Sequence, residues 1–335
     1  MFGKLMLLVV SFFFSLFFLE VCVRVLFPGY HPARQIVFHV NQDGVPLGPK
    51  NDTVRQRTPK GDFDLMITFN KYGFSDYKDL KDSMVSDWFV LGDSFGLGWG
   101  VEVADRFSDV LDALAPFKVY NISIPTDFIG YQQLRDYAEH NGAIISNLII
   151  SVCMENDLFE YSSRMVSFPR QKSILSGRLR AYAKSHSALY LALSYELQKV
   201  SFLRHILEYI GISRRYDSGE LLNKNEFNGK EILAAAKLLK TIVDKQPNTV
   251  VLIIPSRGLW VGTNQRNETA VHDSFIEALS RLHLNVVDMR PIFESAGNPM
   301  MFYFETDPHW NSHGHRVAGE ALWRWIQSYK TSKLK

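Results

Sequence analysis

The chain has 335 residues, of which 37 are basic and 35 acidic, giving a formal net charge of +2. That near balance, with no basic run, removes the electrostatic drive on which nucleic-acid binding depends, so no nucleic-acid partner is expected. Apolar residues make up 46%, with 24 Phe and 14 Tyr; this excludes global disorder and suits one large domain with additions.

An apolar run over residues 5–19 is broken only by Ser11 and Ser15, with Lys4 just before it. Glu20 and Arg24 follow, in a stretch that stays apolar to Phe27 and ends at Pro28. A helix over 5–27 would rise about 34 Å, enough to cross a bilayer core. Glu20 and Arg24, four apart, can pair near the interface. A cleaved signal peptide also fits Lys4 and the apolar run, but no small-x-small cleavage site follows. We therefore expect an uncleaved membrane anchor over 1–28. Basic residues flank both ends, so direction is weakly specified; the domain that follows is expected on the periplasmic or extracellular side. Cys22 in this run and Cys153 further on form no disulfide or metal pattern and read as small buried hydrophobes.

Residues 29–85 are polar and turn-rich, with strand-like pieces at 36–40 and 65–69. They read as a lead-in packed beside the main sheet. From Asp87 the pattern becomes regular. The apolar run 88–91 ending at Gly92 suits a buried parallel strand. A helix is expected over 105–114, a strand over 117–122, a helix over 129–140 and a strand over 148–152. After an insertion at about 161–226 come a helix over 230–245, a strand over 250–254, a helix over 270–282, a strand over 285–289 and a closing helix over 312–330. Such alternation implies a parallel sheet with helices on both faces, in one domain over 86–332. Within the insertion, 181–209 is amphipathic and reads equally well as a helical cap over a site or as a surface excursion.

The sharpest signal is Gly92-Asp93-Ser94-Phe95-Gly96, directly after the first regular strand. Small residues there allow a tight turn that presents a serine at the strand's carboxyl end, ahead of helix amides suited to an oxyanion. A serine hydroxyl needs a base, and the base usually needs an orienting carboxylate. Thr306-Asp307-Pro308-His309-Trp310-Asn311 supplies both: two apart in an extended loop, Asp307 and His309 can face one side, and Pro308 removes backbone freedom. Ser94 as a mere helix cap and His309 as a plain loop histidine are the bland alternatives. His309, His313 and His315 match no usual zinc spacing, and no metal is expected. Gly96-Leu97-Gly98-Trp99-Gly100 is only loosely like a dinucleotide loop, so no cofactor is expected either. An α/β-hydrolase would place its serine after several strands and separate acid from histidine, which this chain does not.

These stretches resemble the SGNH (GDSL) hydrolase family. The resemblance rests on Gly92-Asp93-Ser94-Phe95, Met154-Glu155-Asn156-Asp157 and Asp307-Pro308-His309. Upstream, Asn70-Lys71-Tyr72-Gly73-Phe74 is similar to a stretch that precedes the serine block in bacterial membrane-anchored members. The resemblance implies a three-layer flavodoxin-like parallel sheet, with Ser94 as nucleophile, His309 as base and Asp307 as its orienter. It also implies an oxyanion hole from the Ser94 amide, a backbone amide of the second block and the Asn156 side chain; Asp157 reads as structural. The second-block glycine is replaced here, with Ser123 and Thr126 in its neighbourhood; Thr126 is the expected donor and Gly130 the fallback. Asp-x-His followed by Trp is similar to the alginate O-acetyltransferase branch. Expected partners are thus an ester or acylated carbohydrate, the membrane through the N-terminal helix, and, for a transferase, a multi-span acyl donor. The rival expectation is a catalytically inactive, membrane-tethered binding or assembly protein with the same fold.

Overall fold

The computed structural model describes residues 2–32, 36–58, 61–155, 157–158, 182–183, 186–200, 202–203, 229–246 and 248–333. The helices are α1 (Phe2–Leu26), α2 (Ser94–Leu97), α3 (Phe107–Leu114), α4 (Phe128–His140), α5 (Ala188–Lys199), α6 (Gly229–Val243), α7 (Gln265–Arg281), α8 (Met289–Ser295) and α9 (Ser312–Lys333). The strands are β1 (His39–Val40), β2 (Pro46–Leu47), β3 (Asp52–Arg57), β4 (Asp64–Phe69), β5 (Trp88–Leu91), β6 (Val119–Asn121), β7 (Asn147–Cys153), β8 (Asn248–Ile254) and β9 (Val286–Asp288). The chain divides into two compact units: Met1–Ile36, Thr53–Met66 and Pro169–Arg215 form one, and Val37–Asp52, Ile67–Phe168 and Tyr216–Lys335 the other. Residues 29–85, expected as one lead-in, are shared between the two.

The larger unit holds a five-stranded sheet in the order β6-β5-β7-β8-β9, every pair of it parallel. Numbered by their appearance in this sheet, the strands run 2-1-3-4-5, the flavodoxin-like order. β7 and β8 are apolar along nearly their whole length because both faces are covered. Trp88 and Val90 of β5, Ile149 of β7 and Val250 and Leu252 of β8 share one buried cluster with Phe107, Leu111, Phe293, Trp310, Leu322 and Ile326. That layer belongs to α3, α8 and α9. On the other face α4 packs on α6, and α6 on α7. The three-layer parallel architecture expected from the sequence is present.

The expected helices and strands of this unit are all present, with shifts at their ends. The helix expected from 105 begins at Phe107, because Val103–Asp105 forms a separate 3-10 turn. The strand expected over 117–122 is limited to Val119–Asn121. Met289, expected to end a strand, begins α8 instead: Asp288 accepts a hydrogen bond from the Arg290 amide (3.0 Å) and caps that helix. Two small two-stranded sheets were only half visible. Of 36–40 only His39–Val40 is strand, paired with β2, and the piece expected at 65–69 is half of the β3–β4 pair.

The smaller unit contains α1, whose segment Met6–Leu26 is apolar and long enough to cross a membrane, with none of it buried. Membrane spans and signal sequences share that property. The unit also contains α5, which lies in the expected amphipathic stretch 181–209; most of the insertion at 161–226 lies outside the described residues.

Candidate active site

The serine turn is fixed by two close approaches. A Cβ on Gly92 would lie 1.8 Å from Ser151 Oγ, and one on Gly96 would lie 2.5 Å from Ser123 Oγ. Only glycine lets β5 and α2 sit this near their neighbours. Between them, the buried Asp93 carboxylate accepts a hydrogen bond from the Phe95 amide (2.9 Å) and is the N-cap of α2. The capping role that was the bland alternative for Ser94 thus belongs to Asp93, and Ser94 is the first residue of the helix.

A chain of polar contacts holds this turn from behind. Asn70 Oδ1 accepts from the amides of Tyr72 (2.9 Å) and Phe74 (3.2 Å), while its Nδ2 donates to the Asp76 carbonyl (3.0 Å). Asp76 Oδ2 accepts from the Asn121 amide (2.6 Å), and Asn121 Nδ2 donates to the Gly96 carbonyl inside α2 (2.7 Å). Arg106 adds a donor to the Ser75 carbonyl (2.6 Å). Burial pushes the Asp76 carboxyl above its usual range in spite of the nearby Lys78 and Arg106 cations. The Asn70–Phe74 stretch singled out in the sequence is therefore the outer end of a brace on the serine helix.

The histidine lies on the loop ahead of α9. His309 Nε2 is 2.7 Å from Ser94 Oγ, and His309 Nδ1 is 2.5 Å from Asp307 Oδ1. The two halves are 215 residues apart in sequence. The arrangement requires the tautomer with a proton on Nδ1, donated to the carboxylate, leaving Nε2 to accept the serine proton. The same Asp307 oxygen accepts from the His309 amide (3.1 Å), so one atom fixes both backbone and ring. The imidazole is backed by Phe95, with ring centroids 4.8 Å apart, and flanked by Trp99 at 5.8 Å.

Two neighbours of the motif have roles that sequence reasoning missed. Trp310, fully buried, meets Phe95 and Phe293 edge to face. Asn311 Nδ2 donates to the carbonyls of Met301 (2.9 Å) and Tyr303 (2.8 Å), while its Oδ1 accepts from the His313 (3.0 Å) and Gly314 (3.1 Å) amides. It closes the loop and caps α9. The signal was available: an asparagine immediately before a helical pattern is a standard N-cap.

The remaining histidines do not converge on His309. His315 is buried and stacks on Phe107 (centroids 5.8 Å), and its Nδ1 accepts from the Phe107 amide at 3.4 Å. Burial, with the His309 and Arg106 charges, depresses it to about 3. His313 packs on Phe302. Among the described residues no three His, Cys, Asp or Glu side chains gather as metal ligands.

Asp157 is buried and its Oδ2 accepts from the Cys153 amide (2.8 Å) and the Tyr131 hydroxyl (3.2 Å), the local backbone bond expected of it. Asn156 lies outside the described residues. Thr126 sits, half buried, in the loop between β6 and α4. In that loop the amides of Asn121, Ile122, Ser123 and Ile124 are engaged by Asp76, Val90, Asn121 and Gly92 respectively. The Gly130 amide, the fallback oxyanion donor, is committed to Asp127 Oδ1 (2.9 Å).

Sheet order, a serine on the turn after the first strand of the parallel sheet, and an Asp-x-His loop before the last helix together give the arrangement that the resemblance to SGNH hydrolases implied. Residues 223–334 match the family model described as "SGNH hydrolase-like domain, acetyltransferase AlgX", which bears out the resemblance drawn from the motifs. The matched segment carries Asp307 and His309 but not Ser94. No curated protein matches the chain. Among solved structures, a member of the lipolytic protein G-D-S-L family from Veillonella parvula DSM 2008 aligns at 13% identity and TM-score 0.37, covering 70% of this chain and 94% of that one. The lipase/acylhydrolase from Enterococcus faecalis aligns at 10% identity and TM-score 0.42, covering 72% and 96%. The native M. smegmatis aryl esterase aligns at 13% and 0.36, covering 72% and 98%. The family match supports an enzyme acting on ester bonds, as hydrolase or acetyltransferase.

Proposed function

We propose that the chain is a membrane-anchored serine esterase or O-acyltransferase that moves an acyl group, acetyl for preference, to or from a cell-envelope carbohydrate through an acyl-Ser94 intermediate. The observation that carries the reading is the hydrogen-bonded row Ser94 Oγ, His309, Asp307, at 2.7 and 2.5 Å, within the reach that general-base activation requires. His309 Nε2 takes the proton as Ser94 Oγ attacks the acyl carbonyl. Asp307 holds the ring by its Nδ1 proton and stabilises the imidazolium that forms. The developing oxyanion is met by the Ser94 amide, the Thr126 amide and the Asn156 side chain, donors of a kind worth several kcal/mol each. For Thr126 the support is its place in the second block, together with the engagement of the Asn121 to Ile124 and Gly130 amides and the lack of an amide on Pro125. His309 then protonates the departing alkoxide, leaving the acyl ester on Ser94. In the second half His309 deprotonates water or a sugar hydroxyl, which attacks that ester and frees the serine.

The carbohydrate assignment is supported by the acetyltransferase description of the matched family and by Trp99, a partly exposed ring beside His309 on which a sugar face can lie. The anchor is supported by α1; with the catalytic unit outside the cytoplasm, a transferase would draw its acyl group from a multi-span donor. A fluorophosphonate probe tests the nucleophile. Labelling of the wild type that vanishes in Ser94→Ala is expected; no labelling, or equal labelling of both, would favour the inactive binding protein. Incubation with an acetyl ester, with and without acceptor oligosaccharide, separates transfer from hydrolysis.

A further inference from the structure

The smaller unit contains a clasp that the catalytic reading does not use. Near the end of α1, Glu20 turns toward the first turn of α5. Its Oε1 accepts from the Ala188 amide (2.9 Å), and its Oε2 from the Leu189 amide (2.9 Å) and the Ser187 hydroxyl (2.8 Å). Arg24 donates to Glu20 Oε1 (2.7 Å) and, through Nη2, to the His186 carbonyl (2.6 Å). Just beyond α1, the Tyr30 hydroxyl donates to Glu196 of α5. The Arg57 guanidinium lies between the Tyr30 and Tyr195 rings, 3.8 and 4.0 Å from their centroids. A carboxylate on exposed helix amides satisfies donors that otherwise have no intrahelical acceptor, and its charge opposes the positive end of the helix. Cutting α1 away would strip α5 of this cap, of the Arg24 contact and of the packing that buries Ala188 and Leu191.

The clasp also fixes a depth. Glu20 and Arg24 are the first charged side chains after Lys4 along α1, so a spanning α1 carries this pair toward its interfacial end, and the start of α5 is hydrogen-bonded to it. Leu193, Val200 and Phe202 are exposed at 49%, 51% and 71%, as are Val25, Leu26 and Phe27 at the end of α1 and just past it. We infer that α1 is retained in the mature protein and that α5 and the residues just after it lie in the interfacial layer of the same bilayer, with Leu193, Val200 and Phe202 seated among lipid headgroups and upper acyl chains. Interfacial helices bind through such apolar side chains, beside polar residues that stay in water. This rests on the anchor reading of α1 and adds to it a second membrane contact.

The test uses the full-length chain in protein-free liposomes of phosphatidylethanolamine and phosphatidylglycerol. In a Cys22→Ser background, where the remaining Cys153 is buried, an environment-sensitive fluorophore is placed by Phe202→Cys, by Leu193→Cys and, as a control in the larger unit, by Met301→Cys. Expected are blue-shifted emission at 202 and 193 that is quenched by lipids spin-labelled near the headgroup, and water-like emission at 301. Glu20→Ala is expected to speed amide exchange at Ala188 and Leu189 about tenfold while the chain stays in the membrane, as loss of a cap would. Alkali-resistant membrane association with water-like labels at 193 and 202 would overturn the interfacial seat and leave the anchor intact. A blue shift seen in native membranes but absent from protein-free liposomes would assign the surface to a protein partner and overturn it too. A mature chain beginning after residue 28 would overturn anchor and clasp together.

Discussion

Asp307→Asn offers the sharpest test of the triad, because a single carboxylate oxygen makes two contacts. Oδ1 accepts from the His309 amide at 3.1 Å and from Nδ1 at 2.5 Å. An asparagine in the same rotamer keeps an acceptor oxygen there, and turning its NH2 toward His309 would set a donor against the backbone N–H. The amide is thus pinned, and the tautomer with Nδ1 protonated survives. What disappears is charge: a hydrogen bond to an ionised acceptor is about twice as strong as a neutral one, and the imidazolium loses its counter-ion. Together these cost about 2–3 kcal/mol of transition-state stabilisation, or roughly 30- to 150-fold in kcat/KM. Asp307→Ala removes the orienting contact as well, and a loss of about 10⁴ is expected, the size seen when a triad histidine is left in the wrong tautomer. The assay is hydrolysis of p-nitrophenyl acetate by both variants, with thermal melts to show that each is folded. If Asn falls to the Ala level, the amide has flipped and the shared-oxygen argument is wrong. If both stay within about threefold of the wild type, Asp307 does not orient the base.

Gly96→Ala is expected to destabilise the chain by about 1–3 kcal/mol in urea melts, since its Cβ would sit 2.5 Å from Ser123 Oγ; Gly96→Ala with Ser123→Gly should recover more than half of the loss, and failure to do so would refute the steric account. Asn311→Ala leaves the Met301 and Tyr303 carbonyls and the first amides of α9 without their partner, and a stability loss of about 1–3 kcal/mol with a parallel fall in kcat is expected. His315 has a folded pKa of about 3 against 6.5 when unfolded, so the stability it contributes is complete above 6.5 and is lost as pH falls from 6.5 toward 3. The slope is at most about 1.4 kcal/mol per pH unit, and His315→Phe should flatten that acid limb in pH-resolved melts. Glu268 is held up at about 7 by burial, against 4.5; its contribution is present below 4.5 and lost as pH rises to 7, so E268Q should gain more in melting temperature over the wild type at pH 8 than at pH 4.5.

The regular part of the fold was legible because buried parallel strands are nearly uninterrupted apolar runs, as in β7 and β8. Asn70-x-x-Gly-Phe and Gly-Asp-Ser-x-Gly were visible as patterns, but their connection was not. It passes through Asp76 and Asn121, whose polar side chains mean nothing in a linear reading until β6 is laid beside β5. α8 was hidden because Met289 reads as one more apolar strand position after Val286 and Val287, and the cap at Asp288 that ends the strand is a single residue. Thr126 was chosen from its place in a block, whereas only the hydrogen bonds show that the fallback, Gly130, has its amide engaged by Asp127. The clasp from Glu20 to α5 joins residues 167 to 169 apart, with no periodicity to betray it.

The short Asp-x-His spacing follows from the contacts of the loop itself. With two residues between carboxylate and imidazole, one oxygen could not easily reach both the histidine's amide and its ring nitrogen; with one, Asp307 forms a turn onto its own chain and holds the base through the same atom. The next residue, Trp310, is driven into the core between Phe95 and Phe293, which sets how far His309 stands above the sheet. The residue after that, Asn311, ties the loop's start to the first turn of α9. Phe95, which follows the serine, touches both His309 and Trp310, so the two halves of the site are registered through one aromatic side chain rather than through the 2.7 Å hydrogen bond alone. Trimming Phe95 to leucine should therefore lower kcat through misplacement of His309 with Ser94 and Asp307 intact, and a variant with unchanged kcat and an unchanged pH profile would show that the loop positions its histidine without that contact.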